Sequence, residues 1–222
     1  MKNTTKKLLL TAGLTLTMSS VSFANESTEA QSSISANVTL ASDYVWRGKT
    51  QSDDKKAVQG GLDWDAGNGF AVGIWGSTLG TDGGSEFDYY GSYSGELESG
   101  IGYEVGYIDY RYSKDNGAAN FKEAYVGASY GDFGLTYYSG QDAAADYVEG
   151  GYGASIDGVD VALTLGKYSD TTGNNDGYKL YGLSFGKSYG GLDYGLGFTK
   201  TNEDDSATDN EKNTVFSVSK SF

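Results

Sequence analysis

The chain has 222 residues and a formal net charge of −14, with 34 glycines and 19 tyrosines but no proline, cysteine or histidine. Without cysteine there is no disulfide framework, and without histidine there is no His-based zinc site or catalytic triad. The acidic balance argues against nucleic acid as a partner, because phosphate backbones are bound by clustered Lys and Arg.

Residues 1–24 have the three-part layout of a secretory signal peptide. Three lysines at the start are followed by an apolar run at 8–18 and by a small-x-small cleavage site at Ser22-Phe23-Ala24. That run is shorter than the roughly 20 residues that a transmembrane helix needs. Cleavage removes three lysines and no acid, so it changes the formal charge from −14 to −17. We expect a short polar segment at 25–36 and one β domain at 37–222.

Apolar and polar residues alternate with a period of two from residue 37 onward, and no mature segment has a sustained helical period. Val38 and Leu40, for example, alternate with Asn37 and Thr39. The absence of proline suits a continuous hydrogen-bonded ladder, because every residue can donate its N–H. The pattern predicts about twelve strands, centred near residues 41, 61, 74, 90, 105, 125, 136, 150, 163, 182, 196 and 217.

The predicted connections alternate in length, except that the link near Glu96 is intermediate and the link near Gln141 is fairly short. Tight turns lie at 67–69, 131–132, 157–158 and 190–191, and longer polar loops lie at 48–55, 80–85, 113–118, 169–177 and 201–212. Short turns at one end, long loops at the other and an even strand number are typical of an outer-membrane barrel with both termini in the periplasm. We therefore predict an all-β fold, a membrane-spanning antiparallel up-and-down β-barrel of about twelve strands. A soluble Gly-rich β-solenoid is the alternative, but the Gly150-Gly151-Tyr152-Gly153 motif does not recur at a fixed period.

Aromatic residues near the predicted strand ends fit this fold. Tyrosine and tryptophan favour membrane interfaces, where an apolar ring can carry a polar tip to water. The acidic runs Asp53-Asp54 and Glu203-Asp204-Asp205 would be tips of extracellular loops. The predicted aromatic girdle consists of Tyr44, Trp46, Trp64, Phe70, Tyr130 and Phe133.

The last predicted strand ends the chain on Phe222, with Phe216 and Val218 on the same face. It resembles the final strand of bacterial outer-membrane proteins, whose terminal phenylalanine is read by the barrel-assembly machinery. Lys220 departs from that pattern, in which an apolar residue is usual. We predict that Phe216, Val218 and Phe222 form an assembly signal.

If the valines and leucines face lipid, alternation assigns the opposite face of each strand to the lumen. That face is acidic, which favours cations over anions. The alternative is that these acids lie at wet strand ends or pair with Arg47, Lys122 and Lys179, and set no selectivity. The candidate pore-lining residues are Asp43, Arg47, Gln59, Asp63, Glu86, Asp88, Glu104, Glu123, Glu149, Asp160 and Asp193.

The stretch from Ser42-Asp43-Tyr44-Val45-Trp46-Arg47-Gly48 through Ala57-Val58-Gln59-Gly60-Gly61 to Trp75-Gly76-Ser77 resembles the TorF family of small proteobacterial outer-membrane barrels. Trp46 stands where that family usually has phenylalanine. The resemblance covers about residues 37–79 and implies export to the outer membrane with a proposed channel role. It brings no catalytic residue, cofactor or substrate.

Within this stretch, Asp43 and Arg47 are four residues apart on the first predicted strand. At about 3.3 Å per residue they would be about 13 Å apart and could not pair with each other. We therefore expect Arg47 to bind acidic residues from other strands, near the extracellular rim. The alternative is an arginine that stays unpaired in water at the rim.

These observations predict an exported protein in the outer membrane of a Gram-negative bacterium, in contact with membrane lipid. Its expected function is a porin-like channel for passive diffusion of small hydrophilic solutes or ions, with a preference for cations and without cofactor, metal or catalysis. A closed structural or adhesive barrel with ligand-binding extracellular loops is the alternative. Hydrolase barrels rely on Ser and His, so an enzyme is disfavoured. The sequence leaves open the solute, the gating, the oligomeric state and whether the lumen is open.

Overall fold

The computed structural model describes residues 31–80, 84–114, 117, 119–141, 144–169, 177–203 and 210–222. The predicted signal peptide at 1–24 lies outside the described residues, as do Asp204 and Asp205 and most of the predicted loop at 169–177. Among the described residues, no helix has the length and apolar character needed to cross a membrane.

The described residues form fourteen strands. Twelve of them form one sheet, and the two-residue strands β2 and β3 pair only with each other. The strands are β1 (Ser33–Ala41), β2 (Val45–Trp46), β3 (Lys49–Thr50), β4 (Ala57–Asp65), β5 (Phe70–Thr78), β6 (Ser85–Glu96), β7 (Gly102–Tyr112), β8 (Phe121–Tyr130), β9 (Phe133–Gln141), β10 (Asp146–Ile156), β11 (Val159–Ser169), β12 (Tyr178–Tyr189), β13 (Leu192–Glu203) and β14 (Lys212–Ser221).

The large sheet is a closed antiparallel barrel in the order β1-β14-β13-β12-β11-β10-β9-β8-β7-β6-β5-β4. Consecutive long strands are neighbours, and β1 closes the ring by pairing with both β4 and β14. The closure extends to the last residue, since the backbone N–H of Phe222 donates to the carbonyl oxygen of Ala36 at 2.9 Å. The predicted all-β up-and-down barrel of twelve strands is confirmed.

The connections follow the predicted alternation in length. Gaps at 66–69, 97–101, 131–132, 157–158 and 190–191 separate the strands at the end that carries both termini, called the turn end below. Asp157-Gly158 and Gly190-Gly191 have positive φ at both residues, which is the type I′ geometry that suits two-residue hairpins. The other connections, called the loop end, begin with residues 42–56 and are longer, except for the four residues at 142–145 between β9 and β10.

Alternation places the apolar face outward. Val38, Val58 and Val105 are 41%, 52% and 48% exposed, as a surface that faces solvent or lipid requires. Most of the buried residues lie instead inside the barrel near the loop end. They include Ala41, Val45, Tyr110, Tyr138, Tyr147, Tyr178, Leu180 and Val215.

Glycine and tyrosine pair across neighbouring strands on the inner face. Gly73 is registered with Tyr90, and a Cβ on Gly73 would lie 2.5 Å from the Tyr90 ring. Gly106 and Tyr125 repeat the arrangement, with a corresponding distance of 2.4 Å. The aromatic ring therefore covers the glycine backbone, a known way of supporting glycine in sheets.

The first strand differs from the prediction at both ends. It begins at Ser33, earlier than the predicted start at residue 37, and it ends at Ala41. Alternation predicted that Asp43 and Arg47 lie on one face of the first strand. That prediction is wrong, because both residues follow the end of β1. They belong to residues 42–56, a segment that folds into the barrel and is called the inner loop below.

Candidate functional site in the barrel lumen

The inner loop is organised around a two-residue hairpin. Val45 pairs with Thr50 and Trp46 with Lys49, which leaves Arg47 and Gly48 as the turn. Both have positive φ, 48° for Arg47 and 86° for Gly48, as a type I′ turn demands. A left-handed conformation is uncommon for arginine, so the surroundings must hold it.

Hydrogen bonds within the inner loop fix the base of this hairpin. The Asp43 carboxylate accepts from the Ser52 hydroxyl at 2.6 Å and from the Thr50 hydroxyl at 2.8 Å. The Tyr44 backbone N–H donates to Ser52 Oγ at 2.8 Å. Asp43 is 6% exposed, so this predicted pore-lining residue acts as an internal brace of the loop.

Arg47 reaches across the lumen to the opposite wall. Its Nη1 and Nη2 donate to the two carboxylate oxygens of Glu123 on β8 at 2.6 and 2.8 Å. The Arg47 guanidinium also lies 4.6 Å from the ring centroid of Tyr138 on β9 and 4.2 Å from that of Tyr147 on β10. In the ring of twelve strands, β9 stands opposite β1, so the hairpin bridges the barrel.

This pair confirms that Arg47 binds an acid from another strand, and the alternative of an unpaired rim arginine is wrong. Both side chains are 1% exposed. Burial lowers the pKa of Arg47, but the hydrogen bonds and negative charge of Glu123 outweigh it and raise that pKa above its ordinary value. The Arg47 guanidinium therefore stays charged, and the bidentate geometry makes the pair directional.

Further contacts fasten the inner loop to β13 and β14, on the β1 side of its base. Asn213 on β14 donates through Nδ2 to the Gly48 carbonyl oxygen at 2.8 Å. Lys49 Nζ lies 2.7 Å from Glu203 Oε1 and 3.4 Å from Glu211 Oε1. The loop is thus held by the far wall through Arg47 and by the near wall through Gly48 and Lys49.

Tyr44 and Trp46 were predicted as girdle residues, and the structure corrects both. Tyr44 is 1% exposed and packs edge-on against Trp75 at 5.3 Å between ring centroids. Trp46 packs edge-on against Tyr110 and Phe121 inside the barrel. In the sequence, Tyr44 and Trp46 continue the alternation of apolar and polar residues in β1, although the strand ends at Ala41. The end of the strand is therefore not visible in the pattern.

The other four predicted girdle residues face outward at the turn end. Trp64 and Phe70 are each 41% exposed and pack edge-on at 6.3 Å. Tyr130 and Phe133 are 65% and 63% exposed. Phe216 and Phe222 of the predicted assembly signal also face outward, at 52% and 75% exposure, and Val218 shares their parity. Roles at a membrane interface or in assembly remain predictions for these residues.

Tyrosine hydroxyls bind most of the predicted pore-lining acids. Tyr125 donates to Glu104 at 2.8 Å and Tyr147 to Glu149 at 2.6 Å. The same pairing joins Tyr90 to Asp63, Tyr110 to Glu123 and Tyr112 to Glu86. About half of the tyrosines therefore belong to the interior, and the prediction that tyrosine lies at the membrane interfaces is wrong for these residues.

The remaining predicted pore-lining residues also occupy strand positions whose side chains face inward. Gln59 and Asp88 are 4% and 9% exposed near the loop end, and Asp160 and Asp193 lie near the turn end. Within the described ranges, no group of three or more Asp, Glu, His or Cys is placed to hold a metal ion.

Charge is sorted by face along the strands. The described strand acids face inward except Asp109 and Asp146, which have outward parity. Every lysine and arginine within the described barrel strands has outward parity. These basic residues are Arg111, Lys122, Lys167, Lys179, Lys187, Lys200, Lys212 and Lys220.

Gly48 gives a direct test of how tightly the hairpin of the inner loop fits in the lumen. Substitution Gly48→Ala should lower the free energy of unfolding by about 2–5 kcal/mol, from a strained left-handed residue and an overpacked contact. The new Cβ would lie 2.7 Å from Leu180 Cδ1 and 2.8 Å from Thr201 Cγ2. Gly153→Ala is the matched control, because its Cβ would meet nothing within 4 Å. Urea unfolding of both variants measures the effect, and equal stability would contradict the tight fit at Gly48.

Comparison with solved structures supports the fold. A KdgM porin matches with a TM-score of 0.61 and 10% identity, covering 85% of this chain and 98% of that chain. The KdgM porin in complex with disordered oligogalacturonate matches with a TM-score of 0.59 and 10% identity, covering 86% and 98%. The outer-membrane protein opdK from Pseudomonas aeruginosa is more distant, with a TM-score of 0.46 and 13% identity, covering 89% and 68%. At these identities the likeness concerns the barrel alone.

Comparison with curated proteins gives no match at the level of sequence. A family model described as a bacterial protein of unknown function (Gcw_chp) matches residues 25–222. The match covers the barrel and the inner loop and begins directly after the predicted cleavage site. The chain belongs to the Gcw_chp family of bacterial proteins.

Proposed function

We propose that this protein is a channel in the outer membrane of a Gram-negative bacterium, through which small hydrophilic solutes or ions diffuse passively, with a preference for cations. One observation carries the proposal: within the described strands of a closed barrel, acids face inward almost without exception and basic residues face outward. A low-dielectric wall focuses the field of such acids and concentrates cations in the lumen.

The likeness to KdgM supports the proposal at the level of fold. Oligogalacturonate, which is named in one KdgM complex, is a polyanion. The carboxylates on the inner face of this chain would repel a polyanion, so we propose cationic or uncharged solutes instead. Export with a cleaved signal at 1–24 is part of the proposal, and the start of the family match at residue 25 supports it. The proposed role needs no catalytic residue.

Recording from planar bilayers tests the channel. Purified protein should give discrete conductance steps, with a reversal potential of cation-selective sign under a salt gradient. The double substitution Glu104→Gln/Glu149→Gln should shift that potential toward zero, because it removes two inward carboxyl groups and keeps the shape of both side chains. Silent bilayers would contradict the channel itself.

Two outward acids supply the matched control for charge. Asp109→Asn/Asp146→Asn removes the same number of carboxyl groups from the outer face and should leave the reversal potential unchanged. Cation selection by the lumen would be contradicted if Glu104→Gln/Glu149→Gln left the reversal potential unchanged. It would also be contradicted if both double substitutions shifted that potential equally.

A second candidate is a closed structural or adhesive barrel whose loops bind a ligand. The observation that favours it is the inner loop, which spans the lumen and buries Arg47 and Tyr44 at 1% exposure each. The two candidates differ in one measurement, the conductance of the unmodified protein. A silent wild type combined with an active loop-shortened variant would favour the closed barrel.

A further inference from the structure

Four lysines form a row on the outer face of four consecutive strands at the loop end. This lysine patch consists of Lys167 on β11, Lys179 on β12, Lys200 on β13 and Lys212 on β14, and all four side chains are exposed. On each strand the next large outward side chain toward the turn end is apolar or aromatic. Those neighbours are Leu165, Tyr181, Phe198 and Phe216, with exposures of 63%, 44%, 39% and 52%.

The register brings like charges together. Lys167 is paired directly with Lys179, and Lys200 directly with Lys212. Directly opposed side chains have Cβ atoms about 4.5–5.5 Å apart, and like charges in that position destabilise a sheet. Lys179 is opposite Asn202, so Lys200 is its diagonal neighbour, at about 7–8 Å.

The sheet does not neutralise this patch. Among the described residues, the outward faces of β11 to β14 carry no acid. Glu203 and Glu211 are close in sequence, but both bind Lys49 of the inner loop. On neighbouring β10, Asp146 accepts hydrogen bonds from the Tyr137 hydroxyl and the Gly140 N–H.

Elsewhere on the same rim the barrel does supply a counterion. Asp109 on β7 lies 2.6 Å from Arg111 and is registered with Lys122 on β8. The outward basic residues of β7 and β8 thus have a directly paired acid on their own face, whereas the nearest described acid to the lysine patch is Asp146, a diagonal neighbour of Lys167 alone. Within the described strands, the lysine patch is therefore a concentration of positive charge that suits an anionic ligand.

We propose that the lysine patch binds the phosphate groups of lipid headgroups in the membrane leaflet at the loop end. The ligand must be anionic and must also lie beside apolar surface, since each lysine borders the outward apolar band. Lipid headgroups meet both conditions, and lysine stems can lie on the apolar band while their ammonium groups reach phosphate. The inference rests on the proposed membrane location but not on conduction.

Native mass spectrometry of the folded full-length protein in detergent micelles tests this inference. The probes are a diphosphorylated lipid A and the same lipid without phosphate. We expect the phosphorylated lipid to bind at least about tenfold more tightly than the lipid without phosphate. The double substitution Lys179→Gln/Lys200→Gln should lower the affinity for the phosphorylated lipid at least about tenfold. Higher salt should weaken the binding, because exposed charges are screened.

Lys187→Gln/Lys220→Gln is the matched control, because it removes two outward lysines at the turn end and should leave lipid affinity unchanged. Equal binding of the two lipids, an equal loss in both double variants, or equally tight binding of inorganic diphosphate would overturn the inference. Insertion into liposomes, followed by the change in gel migration on boiling, tests the membrane location separately. Failure there would overturn the proposed function even if lipid binding in micelles survived.

Discussion

Replacement of Arg47 by alanine is expected to lower the free energy of unfolding by about 3–5 kcal/mol and to release the inner loop from the far wall. The reason is the charge left behind: without the guanidinium, the buried Glu123 carboxylate loses its bidentate partner and keeps only the Tyr110 hydroxyl, at 3.0 Å. Urea unfolding in detergent measures the stability, and hydrogen exchange of residues 42–56 measures the release.

Three further variants isolate the cause. Arg47→Lys keeps the charge but loses the two parallel hydrogen bonds, so an intermediate loss is expected. Arg47→Met/Glu123→Leu removes both charges at similar volume and should recover most of the stability. Arg111→Ala, in the exposed pair with Asp109, should change little because solvent screens that pair. If the amides of the inner loop stay protected from hydrogen exchange in Arg47→Ala, the Arg47–Glu123 pair does not hold the loop in place.

Removal of the inner loop is expected to raise single-channel conductance several-fold, because the loop is the one described segment that crosses the lumen. The structure offers a short replacement: Ala41 and Ala57 are directly paired, so Asn-Gly can join β1 to β4 in a two-residue hairpin. The barrel keeps all twelve strands, and conductance in planar bilayers gives the readout. The relation between lumen and conductance follows from the width left between side chains.

The control for this variant keeps the loop and changes its exposed tip. Asp53→Asn/Asp54→Asn removes two charges at positions with φ of 55° and 56°, a conformation that asparagine tolerates. Conductance close to that of the wild type is expected. If the shortened barrel conducts no more than the wild type, the inner loop is not the constriction.

The barrel was predictable from sequence because its signals are local. Period-two alternation, glycine at the tight turns and the contrast between short and long connections all depend on neighbours along the chain. Inward parity of the acids followed from the same alternation, as Glu104 and Glu149 illustrate.

The inner loop was not predictable by the same reasoning. Tyr44 and Trp46 continue the alternation of β1, and only Arg47-Gly48 inside an aromatic run marked a two-residue turn. The partner of Arg47 is 76 residues away in the chain, and that distance carries no local signal. The inward position of many tyrosines was also not predictable. A tyrosine that covers a glycine on the next strand, such as the one opposite Gly73, can be recognised only when the strand register is known.

The separation of charges between the two faces bears on how the barrel assembles. A slip of one residue in strand pairing moves every side chain to the opposite face. For β12 or β13, such a slip would bring lysines into the lumen, and for β6 or β8 it would turn Glu86 or Glu123 to the outer face of the barrel. Charged side chains on the lipid face destabilise a barrel by up to about 2–4 kcal/mol each. In a membrane, the charge pattern would therefore favour the native register of these strands over a register shifted by one residue.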